Sequence, residues 1–308
     1  MVILLNINCC GGKGLEKWNR IKNYFVNPET TVLQTNENGL TASLRESLEK
    51  GEKQFIAAGG DGTINYLLNY LIHLTSPEQL KKITFGAIGI GSSNDFHKPT
   101  NSKIGEIPIC IDFQNTYHRD VGVITYGSDK VEVKKHFLIN ASIGITAEAN
   151  NLFNKSDLIL KRLKKCNTKT AIFYSAIKTI MNYKNLSAEL SVNESCIRTS
   201  ITNLGITKNS HFAGGFCYDS QVDYANGKFA IHLAYDMNKF EVLNLMKALA
   251  SNSFSKLRKT KSWRTDWVKI ASRNNFAVEY DGEVITTREI EFKILKNFIR
   301  VCGNGKNF

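Results

Sequence analysis

Acidic residues are in short supply. Against 40 Lys and Arg, the 308-residue chain sets only 28 Asp and Glu, a formal charge of +12. Such an excess favours an anionic partner: nucleotide phosphates, an acidic membrane surface or nucleic acid. Long apolar runs are absent too. None approaches the roughly 18–20 residues that a membrane-spanning helix needs, which excludes such a helix. The seven cysteines include no C-x-x-C pair, and Cys9 and Cys10 are adjacent, an awkward geometry for a mutual disulfide. The six histidines show no H-x-x-x-H spacing, so a zinc motif is missing. These absences describe a reduced, cytoplasmic protein. Only four prolines occur, and no Pro-, Gly- or Ser-rich linker or internal repeat is visible. Neither G-x-x-x-x-G-K-[ST] nor G-x-G-x-x-G is present, which excludes the P-loop and Rossmann dinucleotide signatures.

What is there is ordinary globular material, 42% hydrophobic and 22% charged. The length suits about two domains of ~150 residues. In the first part of the chain, residues 1–7, 31–34, 54–58 and 83–90 read as buried strands, and residues 15–26, 40–50 and 64–74 carry a helical period. That alternation predicts a parallel sheet with helices on both faces. Residues 2–5 have no basic segment before them and run straight into a glycine turn, so they read as a strand and not as a signal peptide. After about residue 122 the period changes to two, in residues 137–141, 188–192, 197–201, 229–233 and 276–280. Such runs, broken by Asn, Asp and Gly, predict an antiparallel β domain. Helical inserts are expected near residues 158–183 and 240–249. A cleft between the two domains is the expected ligand site.

Three glycine-rich turns follow strands of the first domain: Asn8-Cys9-Cys10-Gly11-Gly12-Lys13-Gly14, Gly59-Gly60-Asp61-Gly62-Thr63, and Gly89-Ile90-Gly91-Ser92-Ser93-Asn94-Asp95-Phe96. Glycine lets backbone N–H groups approach an anion, and a helix N-terminus adds its dipole. In an open parallel sheet these turns share one edge, so together they suggest a phosphate site. Late in the chain, Asp281-Gly282-Glu283 reads either as a hairpin turn between β runs or as a carboxylate placed to take a proton from a hydroxyl.

Taken in order, these residues resemble the diacylglycerol kinase catalytic-domain family, which includes sphingosine kinases and bacterial lipid kinases. Gly59 to Asn65 fits its GGDGT signature and Gly91 to Phe96 its GTxNDF element. Asp120-Val121-Gly122 closes the first domain, and Asn140-Ala141-Ser142-Ile143-Gly144 opens the second. Gly214-Gly215-Phe216 and Asn226-Gly227-Lys228-Phe229 fit later segments, and Asp281-Gly282-Glu283 stands at the DGE. GGDGT alone also occurs in NAD kinases; the NDF and DGE elements point to the lipid-kinase branch.

The resemblance implies an NAD-kinase-like α/β nucleotide-binding domain, residues 1–122 plus about 290–308, and an antiparallel β-sandwich-like lipid-substrate domain, residues 123–289. ATP phosphates are expected against Asn8, Cys9, Cys10, Gly11 and Gly12 and against Gly60, Asp61, Gly62, Thr63, Ile64, Asn65 and Tyr66, with Thr35 and Ser92 as further contacts. Asp61, Asp95 and Asp120 would organise a catalytic magnesium ion, partly through water. Asp281 would act as general base on a lipid hydroxyl, with Glu283 assisting its placement. A second, structural magnesium ion would fall to Asp223, Asn226 and Lys228, unless Asn226-Gly227 is a plain hairpin turn that needs no ion. The departures are Cys9 and Gly11, where the family has proline and serine; Tyr66, where it commonly has glutamate; and Asn226-Gly227, where it often has Asp-Gly.

Residues 155–184 hold eight Lys and Arg against one acid, with Lys161, Arg162, Lys164 and Lys165 clustered; Lys256, Arg258, Lys259, Lys261 and Arg264 form a second basic run. Both suit either an anionic membrane surface or a plain solvated face. Trp263 and Trp267 are candidate interfacial anchors, although Trp267 sits in an alternating, core-like strand. The expectation is therefore a cytoplasmic, peripherally membrane-associated lipid kinase using ATP and magnesium, with a homodimer left open. The alternatives are a soluble NAD-kinase-like phosphotransferase and a non-catalytic nucleotide- or nucleic-acid-binding regulator; no nucleic-acid recognition motif supports the last.

Overall fold

The structure, a computed structural model, describes residues 1–99, 102–128, 131–154, 160, 163, 168–193, 195–221 and 223–303. The chain divides into two compact units, Met1–Val121 with Lys296–Phe308, and Gly122–Leu295. The basic cluster Lys161, Arg162, Lys164 and Lys165 lies outside the described residues. Among those described, no helix is long and apolar enough to cross a membrane.

In the first unit the apolar runs become parallel strands. β1 (Val2–Leu5) lies between β2 (Thr31–Gln34) and β3 (Gln54–Gly59), and β3 pairs in turn with β4 (Thr84–Gly89). β1, β3 and β4 are almost wholly buried, as expected of strands covered on both faces. Ile3, Leu5, Ile56, Ala58 and Ile88 pack with Trp18 and Ile21 of α1 (Gly14–Ile21). The helices α2 (Leu40–Glu49) and α3 (Asp61–Leu74) bury Leu40 and Leu44, and Leu67, Leu68 and Leu71. The antiparallel β5 (Ile107–Cys110) adds to β4. The last strand of the chain also reaches this sheet: its Arg300 and Val301 pair in parallel with Thr84 and Phe85.

The second unit is antiparallel. The hairpin β6 (Thr116–Ser128) and β7 (Val131–Phe137) leads to the short β8 (Asn140–Gly144) and to the helices α4 (Ile145–Asn154) and α5 (Thr168–Asn182). Next come β9 (Leu186–Val192), β10 (Ser195–Thr207), β11 (Phe229–Tyr235), α6 (Lys239–Ala250), β12 (Thr260–Thr265), β13 (Trp267–Tyr280) and β14 (Glu283–Cys302). The long strands β10 and β13 change register between Ile201 and Asn203 and between Ala271 and Phe276. One half of each pairs with β9 and the other half with β8. The bends wrap the sheet around one apolar core containing Phe137, Ile143, Leu190, Leu204, Phe229, Val278 and Phe292.

Candidate active site

Three turns leave the carboxyl ends of β1, β3 and β4 at one edge of the parallel sheet, where open α/β sheets bind ligands. They interlock by backbone. Gly91 N donates to Gly59 O at 3.0 Å. A Cβ on Gly91 would stand 2.3 Å from Gly60 Cα, and one on Gly59 would stand 2.1 Å from Thr63 Oγ1. No side chain fits at those glycines, which explains why the signature needs them. Asn6 Nδ2 donates to Thr63 Oγ1 at 3.1 Å and ties the first turn to the second. In that first turn Cys10, Gly11 and Gly12 are left-handed, with φ of 55°, 66° and 91°. Asn8, Gly11 and Gly12 are exposed. Cys9 turns inward: its Sγ lies 3.6 Å from Ile90 O, and burial, reinforced by Cys10 and opposed by Lys17, pushes its thiol up to about 11.

Asp61 joins the two signature elements. Its carboxylate accepts from Asp95 N at 3.0 Å and Phe96 N at 3.1 Å, so the GGDGT turn holds the NDF turn in place. Asp95 accepts from Ser93 Oγ at 2.7 Å and pairs with Lys98 at 2.8 Å. Asn94 Nδ2 donates to Gly89 O and Gly91 O. Asp120 is fully buried and accepts from Asn297 N at 2.9 Å. Beside it, the buried Arg119 places its guanidinium 4.9 Å from the centre of the Phe96 ring. The structure thus brings Asp61 and Asp95 together and ties Asp120 to Asn297. Among the described residues, no group of three His, Cys, Asp or Glu is close enough to hold an ion by itself.

Of the other residues expected at the nucleotide, Ser92 and Tyr66 are exposed and Thr35, Gly60 and Gly62 are half-buried. Thr63, Ile64 and Asn65 have buried side chains, and Asn65 accepts from Asn69. Their side chains serve the helix and the neighbouring turn. The Tyr66 hydroxyl donates to Tyr70, whose own hydroxyl accepts from Thr41. Burial, with the Tyr70 contact next, pushes Tyr66 up to about 12.

In the second unit, Asp281 and Gly282 connect β13 to β14 with φ of 44° and 94°. Two left-handed residues in a two-residue loop form the hairpin that Asp-Gly favours. The carboxylate does more than close a turn. It is 3% exposed and accepts three backbone N–H groups, from Leu138 at 2.7 Å, Ile139 at 2.9 Å and Asn140 at 3.0 Å, while Asp281 N donates back to Asn140 O. Three such donors stabilise the anion and fix its direction. Glu279 braces the turn, accepting from Gly282 N at 2.8 Å and Ser142 Oγ at 3.0 Å, and Glu283 is exposed. Asn6, Lys98 and Glu279 also bond to these turns, and the sequence reading does not single them out. Asn6 and Glu279 reach partners far along the chain, Thr63 and Ser142, whereas Lys98 stands three residues after Asp95.

Asp223, Asn226 and Lys228 do converge, but on the ammonium of Lys208, at 2.7 Å from Asp223 O, 3.3 Å from Asn226 Oδ1 and 3.0 Å from Lys228 O. The Asp223 carboxylate folds into its own turn and accepts Ala225 N. The second basic run is largely engaged: Lys259 pairs with Glu241, Lys261 lies over the Tyr235 ring, and Arg264 donates to Gln221 O. Trp263 packs against the core and Trp267 is half-buried, so neither stands out as an interfacial anchor.

Comparison with known proteins identifies both parts of the chain. The profile of the family described as diacylglycerol kinase catalytic domain matches residues 1–123, and that of the YegS C-terminal NAD kinase beta sandwich-like domain matches residues 140–303. The chain is 23% identical to a diacylglycerol kinase of Staphylococcus haemolyticus, over 89% of this chain and 78% of the relative. It is 22% identical to one from Staphylococcus saprophyticus, over 89% and 84%. In fold it is similar to a crystal structure of a diacylglycerol kinase from Bacillus anthracis, with a TM-score of 0.65, 16% identity, and coverage of 98% of this chain and 96% of that one.

Proposed function

The chain belongs to the diacylglycerol kinase catalytic-domain family and is a lipid kinase, a phosphotransferase with an alcohol group as acceptor; from that premise we propose that it moves the γ-phosphoryl group of ATP to a hydroxyl of a diacylglycerol-like lipid at a membrane surface. The observation that carries this reading is the Asp61 carboxylate bound to the amides of Asp95 and Phe96, which makes one unit of the GGDGT and NDF elements. The glycines at 59 and 91 let the turns interlock where a Cβ would strike Thr63 and Gly60, and glycine turns gathered in this way suit a phosphate cradle built from backbone N–H groups. Asn8 to Gly12, Gly60, Gly62, Ser92, Thr35 and Tyr66 border it in our reading.

A magnesium ion bound with ATP supplies positive charge that lowers the cost of charge on the transferring phosphoryl group. Magnesium keeps several waters and takes one or two protein carboxylates. Asp61 and Asp95 are already bonded to protein donors, so they and Asp120 fit a role through water. Asp281 orients the acceptor hydroxyl and receives its proton. Three amide donors hold it in a fixed direction. That suffices where the transition state is loose and the proton leaves late.

The membrane reading rests on α5 and α6. Ile177, Met181, Phe240 and Leu243 are 44%, 59%, 80% and 47% exposed. Lys239 Nζ donates to Met181 O at 2.6 Å, so the end of α5 and the start of α6 adjoin, and Lys184, Lys239 and Lys247 are exposed around them. Exposed apolar side chains with lysines on and beside the same helices suit the boundary of an anionic bilayer. The test is phosphoryl transfer to diacylglycerol in anionic and in neutral vesicles. The reading expects faster transfer on anionic vesicles and a rate that falls as salt rises. Transfer to NAD with none to lipid would replace it with the NAD-kinase alternative.

A further inference from the structure

The loop of residues 223–228 in the second unit is where the family resemblance implies a structural magnesium ion, and the oxygens there do not fit one. They are two main-chain carbonyls and one neutral amide oxygen, whereas magnesium binds at roughly 2.1 Å and normally takes a carboxylate. The Asp223 carboxylate is exposed and committed to Ala225 N. We propose that the ammonium of Lys208 is a covalently tethered cation that takes the place of a divalent ion in this loop, so that the second unit holds it without a metal.

Lys208 is fully buried, and its Nζ lies at hydrogen-bond distance from Asp223 O, Asn226 Oδ1 and Lys228 O, at 2.7, 3.3 and 3.0 Å. Asn226 Oδ1 also accepts Lys228 N at 2.9 Å, so the amide that faces the ammonium closes the turn as well. A lysine offers three donors on one positive charge and matches a ring of neutral acceptors spaced for N–H···O contacts rather than metal coordination. Its charge and bulk also keep an ion out. The anchor reaches further: Lys208 N donates to Ile139 O at 2.8 Å, and Ile139 N donates to Asp281 Oδ1. Lys208 therefore connects the loop to the bend at Leu138 and Ile139 that holds the Asp281 carboxylate.

The test uses the full chain without ATP, so that no nucleotide-borne magnesium is present, and reads thermal melting in EDTA and in magnesium. The parent is expected to melt at the same temperature in both. Lys208→Met is expected to melt at least about 4 °C lower, as loss of a charged hydrogen-bonding partner in a domain of this size predicts. Should that variant not fold, Asn226→Ala takes its place, with a smaller fall expected. A parent whose melting temperature drops in EDTA and recovers in magnesium overturns the proposal, and so does a substituted chain that melts like the parent. No acceptor lipid enters the measurement, so its outcome is separate from that of the lipid-kinase reading.

Discussion

Replacing Asp281 with Asn has two separable consequences. By size alone the amide is a neutral exchange, but the donors around it decide otherwise. The new Oδ1 can keep the amides of Ile139 and Asn140, at 2.9 and 3.0 Å in the parent, which leaves Nδ2 facing the Leu138 N–H now at 2.7 Å from carboxylate oxygen. Donor then meets donor. A buried N–H without an acceptor costs about 1–3 kcal/mol, which is a fall in Tm of about 2–12 °C for a unit of this size. That is less than the ~5–15 kcal/mol that typically holds a domain folded, so the variant remains native at room temperature. Its turnover is a different matter. Loss of the base is expected to slow phosphoryl transfer by at least ~100-fold, or about 2.7 kcal/mol in the barrier. The assay is the initial rate on diacylglycerol-bearing vesicles at saturating ATP, with a melting curve on the same preparation. A variant that melts lower yet turns over at the parent rate would show that Asp281 braces the hairpin and does no chemistry.

Gly91→Ala places a methyl group against Gly60 backbone, at 2.3 Å from its Cα; the turns must part, and ATP affinity in a direct binding measurement is expected to drop at least ~10-fold, a loss of about 1.4 kcal/mol in binding free energy. His97 is buried with neither ring nitrogen hydrogen-bonded, and burial lowers its pKa to about 3. The folded value is below the ordinary one, so its contribution is complete above about pH 6.5 and is lost as the pH falls toward the folded value. At pH 5 the parent forfeits about 2 kcal/mol through this residue, and His97→Leu is expected to flatten the decline of stability between pH 6 and 4 in denaturant titrations; an unchanged slope refutes it. His232, also lowered to about 3 by burial, keeps its own share of that slope. Phe240→Asp is expected to weaken sedimentation with anionic vesicles while ATP binding stays at the parent value, and equal sedimentation removes α6 from the membrane surface.

The architecture was legible where one strand carries one uninterrupted pattern. β1, β3 and β4 are continuous apolar runs, and the reading placed all three. The long strands β10 and β13 were seen only in pieces because register shifts at Ile201/Asn203 and Ala271/Phe276 break the two-residue period. α4 was missed because Gly144, at φ of 97°, turns a strand directly into a helix without a capping signature. Of the site, the glycines were legible because Gly59 and Gly91 leave no room for a side chain. The work of Asp61 was not, because its partners stand 34 and 35 residues away and a carboxylate near phosphates suggests a metal first. Lys208 was invisible for the same reason: after a strand, a lysine ordinarily points to water.

The identity of the acceptor tests the lipid-kinase reading most directly. The direct measurement offers the protein ATP labelled in the γ-phosphate, magnesium and, in parallel, mixed lipid extract, NAD and an oligonucleotide, followed by chemical identification of the labelled product. The account predicts label in the lipid fraction as a phosphomonoester of a diacylglycerol-like lipid and none in NAD or the oligonucleotide. Label in NAD, or ATP bound with no labelled product in any arm, would contradict it.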